Sequence, residues 1–258
     1  MSELVLRPRS ATELLDAAFQ VYRRSPVPFM VAMALIYVPW LAIQLIFSIN
    51  LPQAADQFNA GTGRAVLISG AASILIVALV GGVVSILARA AYLDEPIDIA
   101  AAFQRTFGRL VQLVVATIVE FVLIAIGFIL LVVPAFYLLA LFFAIRQAIV
   151  LEDAGPFAAI ARSASLSRGH KLHILGTLVL VALLLVVVDG GAAMFITLQP
   201  SKVVSVVLMT AVTIVVAPLF GITETVLYFD ARIRNEGFDV EYLANAATDG
   251  ATATGLTA

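Results

Sequence analysis

A series of apolar runs, each about as long as a bilayer is thick, constrains this chain more than any other feature. A helix crossing a ~30 Å hydrocarbon core needs about 20 apolar residues. Runs of that kind extend from about Pro28 to Asn50, Val66 to Ala88, Leu110 to Leu131, Leu172 to Leu198 and Val203 to Tyr228. A shorter run, Pro134 to Leu151, is interrupted by Arg146 and begins on a proline, a residue suited to the first turn of a new helix. Were this run a re-entrant hairpin, the sidedness of the chain would not change. Charged residues make up 12% of the chain against about a quarter in soluble domains, so lipid is the expected solvent. Cysteine is absent, which removes disulfides and thiolate chemistry. A net charge of −2 points to no nucleic-acid partner. The start of the chain reads as amphipathic, not as a secretory signal.

The expectation is an all-α polytopic membrane protein, with six transmembrane helices as three hairpins. Residues 1–27 form a cytoplasmic amphipathic segment, 28–230 the membrane domain, and 231–258 a cytoplasmic tail, disordered after about residue 247. Sidedness follows from the basic residues. Arg7, Arg9, Arg23, Arg24, Arg89, Arg105, Arg109, Arg146, Arg162, Arg168, Lys171, Arg232 and Arg234 fall on one side, and only Arg64 and Lys202 on the other. By the positive-inside rule the crowded side, with both termini, is cytoplasmic. The opposite face carries one loop of about fifteen residues and two tight turns, one of them Gln199-Pro200-Ser201-Lys202.

The cytoplasmic segments resemble one another. Ala17-Ala18-Phe19-Gln20 precedes span one, Ala101-Ala102-Phe103-Gln104 span three, and Phe157-Ala158-Ala159-Ile160 span five. Each ends in basic residues: Arg23 and Arg24, Arg105 and Arg109, then Arg162 and Arg168 with Lys171. The first has a capping box, Ser10 with Glu13, and an apolar face of Leu14, Leu15, Ala18, Phe19 and Tyr22. The reading is three interfacial helices, apolar face towards lipid and the seven named cations towards anionic headgroups. Ordinary positive-inside flanks of Ala-rich composition are the plainer alternative.

Ionisable residues inside spans are costly and face protein or a water-filled cavity. Glu120 lies near the middle of span three, on one face with Gln112, Ala116, Ile124 and Gly127. It reads either as a proton-responsive carboxylate or as a neutral carboxyl bonded across a helix interface. Arg146 and Glu224 lie at similar depth in spans four and six and are expected to pair, with Arg89 near them. A headgroup site lined by these groups is the functional rival. Asp189, followed by Gly190 and Gly191, suggests a loosened helix or a cavity lining. Thr210, Thr213, Ala217, Gly221 and Glu224 share one face of span six, with Pro218 as a kink. Ser69, Ser73, Gly81, Ser85 and Arg89 share one face of span two. Both read first as close-packing seams. His170 and His173 read as interfacial anchors, since no third metal ligand is near. Catalytic motifs are lacking, so no enzyme activity, cofactor or metal is expected.

Two stretches are more specific. One is Ala148-Ile149-Val150-Leu151-Glu152, then Gly155-Pro156 and a helix ending Leu166-Ser167-Arg168-Gly169. The other is Glu224 to Arg232 (ETVLYFDAR), then Glu236-Gly237-Phe238-Asp239. Together, over roughly residues 10 to 245, they resemble the membrane domain of bacterial glycerophosphoryl diester phosphodiesterases, which also occurs as a stand-alone protein. The resemblance implies a bacterial inner membrane. The catalytic barrel of those enzymes is absent, so it implies no hydrolysis here. Two functions remain open: a non-catalytic scaffold or accessory subunit in lipid or envelope homeostasis, with membrane lipids, a protein partner or a second copy as partners; and a small transporter or channel using Glu120.

Overall fold

The computed structural model describes residues 7–50, 60–130, 132–196, 198–199, 201–238 and 240. The expected outer loop before span two, the disordered end after residue 247 and the Leu131 boundary lie wholly or partly outside them. The described residues are almost entirely helical and contain no strand. The helices are α1 (Ala11–Arg24), α2 (Pro26–Asn50), α3 (Ala60–Tyr92), α4 (Ile99–Gly108), α5 (Leu110–Leu130), α6 (Val132–Phe142), α7 (Ile145–Leu151), α8 (Pro156–Leu166), α9 (Lys171–Ile196) and α10 (Lys202–Glu236). Among the described residues, six segments are long and apolar enough to cross a membrane: Pro26–Leu45, Leu67–Tyr92, Leu110–Leu130, Val133–Leu151, Lys171–Ile196 and Lys202–Glu236. This is a multi-pass membrane protein in outline.

Burial is uneven along the spans. Towards one end, which carries most of the arginines and is called the basic end below, side chains pack into a core. Towards the other, Ile129, Leu130, Val186, Val187, Met194 and Phe195 are all well exposed, as suits contact with lipid. The pillar of the core is α10. From Gly221 to Ala231 every residue is buried, so this stretch is enclosed on all sides. At 35 residues α10 is about 52 Å long, well beyond a ~30 Å core. The helix continues past residue 230 into the expected cytoplasmic segment, with Ala231 and Ile233 buried. Its stop is Gly237, in the left-handed conformation (φ 67°) that glycine adopts without strain, donating its N–H to Ile233 O.

Small residues set the helix spacing at Gly221, on the seam read from span six, and at Gly127, on the Glu120 face of span three. A Cβ on Gly221 would come within 2.7 Å of Val84 on α3, and one on Gly127 within 2.9 Å of the Ala135 backbone on α6. Pro218 removes one backbone bond and crowds the turn before it. The Tyr22 hydroxyl donates to Val215 O at 2.8 Å in that turn.

The three short helices α1, α4 and α8 each precede a span, and their small residues face inward. Ala18, Ala102 and Ala159 are fully buried, as are Thr106 and Ser163. For α1 this differs from the expected apolar face towards lipid. Leu14, Ala17, Ala18 and Val21 enter the protein core, and Leu15, Phe19 and Tyr22 pack on its margin. The spacing of apolar residues marks the apolar side of a helix but does not say whether lipid or protein covers it. The capping box is present: Glu13 Oε2 accepts from Ser10 N at 2.8 Å. That bond and Arg7 hold the Glu13 carboxyl down at about 2.

The fourth span is broken. Between α6 and α7, residues 143–144 form a turn, although no proline or glycine marks it. The cause is Ser163 on α8. Its hydroxyl accepts from Ala144 N at 3.0 Å and donates to Leu141 O at 2.7 Å. A side chain inserted into the backbone ladder thus satisfies both groups that the break exposes. Replacing it, Ser163→Ala, leaves a buried N–H and C=O without this partner. The expected cost is about 1–3 kcal/mol, read as a lower melting temperature in detergent.

Candidate functional site

The break between α6 and α7 directs Arg146 into the bundle. Its stem crosses α3 at Gly81, where any Cβ would lie 2.3 Å from Arg146 Cδ, so only glycine fits beside the arginine in this position. Beyond that crossing the guanidinium fork is held on two sides. Arg146 Nη1 donates to Glu224 Oε1 at 3.1 Å, and Nη2 donates to Glu120 Oε2 at 3.0 Å. The side chains of Arg146, Glu120 and Glu224 are only 14%, 14% and 6% exposed. One cation therefore joins α5, α7 and α10 through two carboxylates.

The expected Arg146–Glu224 pair is present. Glu120, which the sequence presents as a separate group near the midplane, joins it. Its joining does not show in the sequence, because neither the broken fourth span nor the gap at Gly81 is visible there. Arg89 does not take part. It pairs with Glu95 at 3.0 Å at the basic end. Asp189 is not brought to the triad either, and α9 runs unbroken through Asp189, Gly190 and Gly191. The loosened helix expected there is replaced by regular helix.

Beside the triad lies a cavity of about 370 Å³, lined by Ser73, Val77, Thr117, Glu120, Phe121 and Arg146 among others. Val77 and Phe121 are exposed, so the cavity opens sideways. Arg146 Nε and Thr117 Oγ1 are buried with no hydrogen-bond partner among the described residues.

At the basic end a second set of charges is interlocked. Arg162 grips Glu152 through Nε and Nη2, both at 2.7 Å, and also donates to Glu236 Oε2 at 2.9 Å. Arg232 Nε reaches the same Glu236 at 3.1 Å, and the Tyr228 hydroxyl donates to Glu152 at 2.7 Å. Burial pushes the Glu152 carboxyl up, but the Arg162 and Tyr228 hydrogen bonds outweigh it and hold it below its ordinary value. Asp230, nearly fully buried, accepts from Arg9 N at 2.7 Å and Arg234 Nε at 2.6 Å, with His173 Nε2 at 3.4 Å. Arg234 also donates to Arg9 O at 2.6 Å.

The seven cations expected to meet headgroups thus divide. Arg23, Arg24 and Arg168 are exposed. Arg105 and Arg109 both donate to Asp153, at 3.2 and 2.9 Å, and Lys171 donates to the Tyr137 hydroxyl at 2.6 Å. Arg162 is committed to its two carboxylates and is a structural clamp. His173 lies against Asp230. Among the described residues no group of His, Asp and Glu is placed to hold a metal ion.

No protein-family model matches the chain, and no curated protein or solved structure matches it either. The stretches 148–169 and 224–239 are in contact: Glu152 and Arg162 from the first meet Tyr228 and Glu236 from the second.

Reversing one charge tests the triad. Glu224→Arg sets two cations beside Glu120 in the membrane and is expected to cost about 3–5 kcal/mol, as for breaking a buried pair. Adding Arg146→Glu restores the balance of one cation and two carboxylates. Thermal stability in detergent should recover in the double variant; a double no better than the single would separate the two residues energetically.

Proposed function

We propose that this chain is a non-catalytic membrane scaffold or accessory subunit acting in lipid or envelope homeostasis. It sits in a bacterial inner membrane as three helical hairpins, with both termini and the basic end in the cytoplasm. One observation carries the reading. Arg146, a largely buried cation, has its fork held between Glu120 and Glu224, so this ion triad serves to join three helices. A transport site releases its ligand, whereas this arrangement is a fixed pin.

The short helices support a role at the lipid surface. Their small residues dock on the bundle, while Phe107 on α4 and Phe157 on α8 are 55% and 74% exposed. With Arg23, Arg24 and Arg168 exposed, this end offers apolar and cationic groups side by side, the combination that anionic headgroups favour. The resemblance to the stand-alone phosphodiesterase membrane domain fits this picture, because the stretches that carry it build one interlocked cluster.

A second reading, transport, is favoured by a specific observation. The cavity reaches Glu120 and Arg146 from the side, and the triad carries one carboxylate more than its cation neutralises. A proton or cation could balance that charge. Glu120→Gln separates the readings. In liposomes, a scaffold keeps background ion and proton flux before and after the substitution, and lipid or a protein partner is retained on gentle purification. A flux that Glu120→Gln abolishes would establish transport instead. Sidedness has its own check: reporters fused after residues 60 and 165 should read outside and inside respectively.

A further inference from the structure

The basic end holds a cavity apart from the triad, with Arg105 and Arg232 of the interlocked charges in its wall. It has a volume of about 280 Å³ and lies where α3, α4 and α10 converge. Three arginines line it, one from each helix: Arg89, Arg105 and Arg232. The other lining residues are Leu93, Leu151, Tyr228, Phe229 and Phe238, with no carboxylate among them.

The floor is rigid. Tyr228 and Phe229 are 1% and 2% exposed, and Phe229 stacks on Tyr92 at 5.3 Å and meets Phe238 at 5.4 Å. The arginine walls are held through their other contacts. Arg89 Nη2 donates to Glu95, Arg105 donates through Nε to Val150 O at 2.6 Å and through Nη2 to Asp153, and Arg232 Nε donates to Glu236. Arg232 also lies over the Phe238 ring at 4.3 Å. The acids therefore orient the guanidinium groups without filling the cavity. A guanidinium has five N–H donors, and Arg89 gives one to Glu95.

We propose that this cavity is a binding site for a phosphate group. Arginine forks match the geometry of phosphate oxygens, and several cations from different helices around one cavity suit a multiply accepting anion. The cavity lies at the basic end of the spans, which on the reading above faces the cytoplasm, and basic pockets between spans on that side are where anionic headgroups bind. The aromatic and leucine floor accommodates the apolar part of a lipid. The inference rests on the lipid reading above for the source of the ligand, but not for its chemistry, since a free phosphate presents the same oxygens.

The test uses the full chain in detergent, with short-chain phosphatidylglycerol, short-chain phosphatidylcholine and inorganic phosphate as probes. Both lipids carry the phosphodiester, but the choline ammonium would set a fourth cation beside Arg89, Arg105 and Arg232, so phosphatidylglycerol should bind about tenfold tighter than phosphatidylcholine. Arg89→Gln should erase that preference, Arg89→Lys should keep part of it, and Arg7→Gln, at an exposed arginine outside the cavity, should leave it intact. Displacement of phosphatidylglycerol by millimolar inorganic phosphate would assign the site to soluble phosphate as well; no displacement would assign it to lipid. A measurement on the unaltered chain guards against misfolded variants: phosphatidylglycerol should protect Arg89, Arg105 and Arg232 from phenylglyoxal, but not Arg7. Equal affinity for the two lipids with inorganic phosphate also failing to bind, an unchanged preference in Arg89→Gln, or equal labelling with and without ligand would overturn the proposal. Lipid that still co-purifies in bulk after such a failure leaves the scaffold reading standing, whereas a flux lost in Glu120→Gln sinks that reading and leaves this site untouched.

Discussion

A guanidinium in hydrocarbon must be compensated from within the protein, and Arg146 is where this chain meets that demand. Removing one partner from a buried pair costs several kcal/mol, because the remaining charge has no water to turn to. The local structure follows from this. The fourth span breaks at residues 143–144, α3 carries glycine where the arginine stem passes, and α5 and α10 each supply a carboxylate at matching depth. The break itself would leave backbone groups exposed in an apolar interior. Ser163, arriving from a different helix, satisfies both with one hydroxyl. The interior of the fourth span is thus determined by residues from α3, α5, α8 and α10 together.

This dependence explains which features are legible in the sequence. The spans are readable because length and hydropathy are local properties, and the ends found here differ from the expected ones by a few residues at most sites. The Ser10–Glu13 capping box and the Gly237 stop are readable for the same reason, since each is written within a handful of residues. The Arg146–Glu224 pair is readable from matching depth. The addition of Glu120 is not, because it depends on a helix break whose cause lies on α8, nineteen residues from Ala144. Asp189-Gly190-Gly191 misleads in the opposite direction. Glycine weakens a helix in water, but in an apolar surrounding the backbone has no better partner than its own ladder, and α9 stays regular. The covering of α1 is beyond pattern reading altogether, because lipid and protein interiors are equally apolar.

The basic end shows how few acids are needed to organise many arginines. Glu152, Asp153, Asp230 and Glu236 each accept from two or more groups, and they fix Arg105, Arg109, Arg162, Arg232 and Arg234 in set directions. Cations that positive-inside counting treats as equivalent therefore separate into clamps, cavity walls and exposed side chains. Arg162 and Arg168 lie on or just after the same helix and differ completely in what they touch.

The clasp at Asp230 has a consequence for how the molecule is made. Arg9 at the beginning of the chain is bound to Asp230 and Arg234 near the end of α10. The helix that completes the centre of the core thus leaves the ribosome after α1–α9. At about 5–20 residues per second, the first helix waits roughly ten to forty seconds for it. Throughout that interval Leu14, Ala18 and Val21 lack their final wall, and Arg146 has Glu120 but not Glu224. Biogenesis therefore passes through a stage in which five spans are inserted around an unfinished centre, and whatever assists insertion must shelter that stage until the final helix arrives.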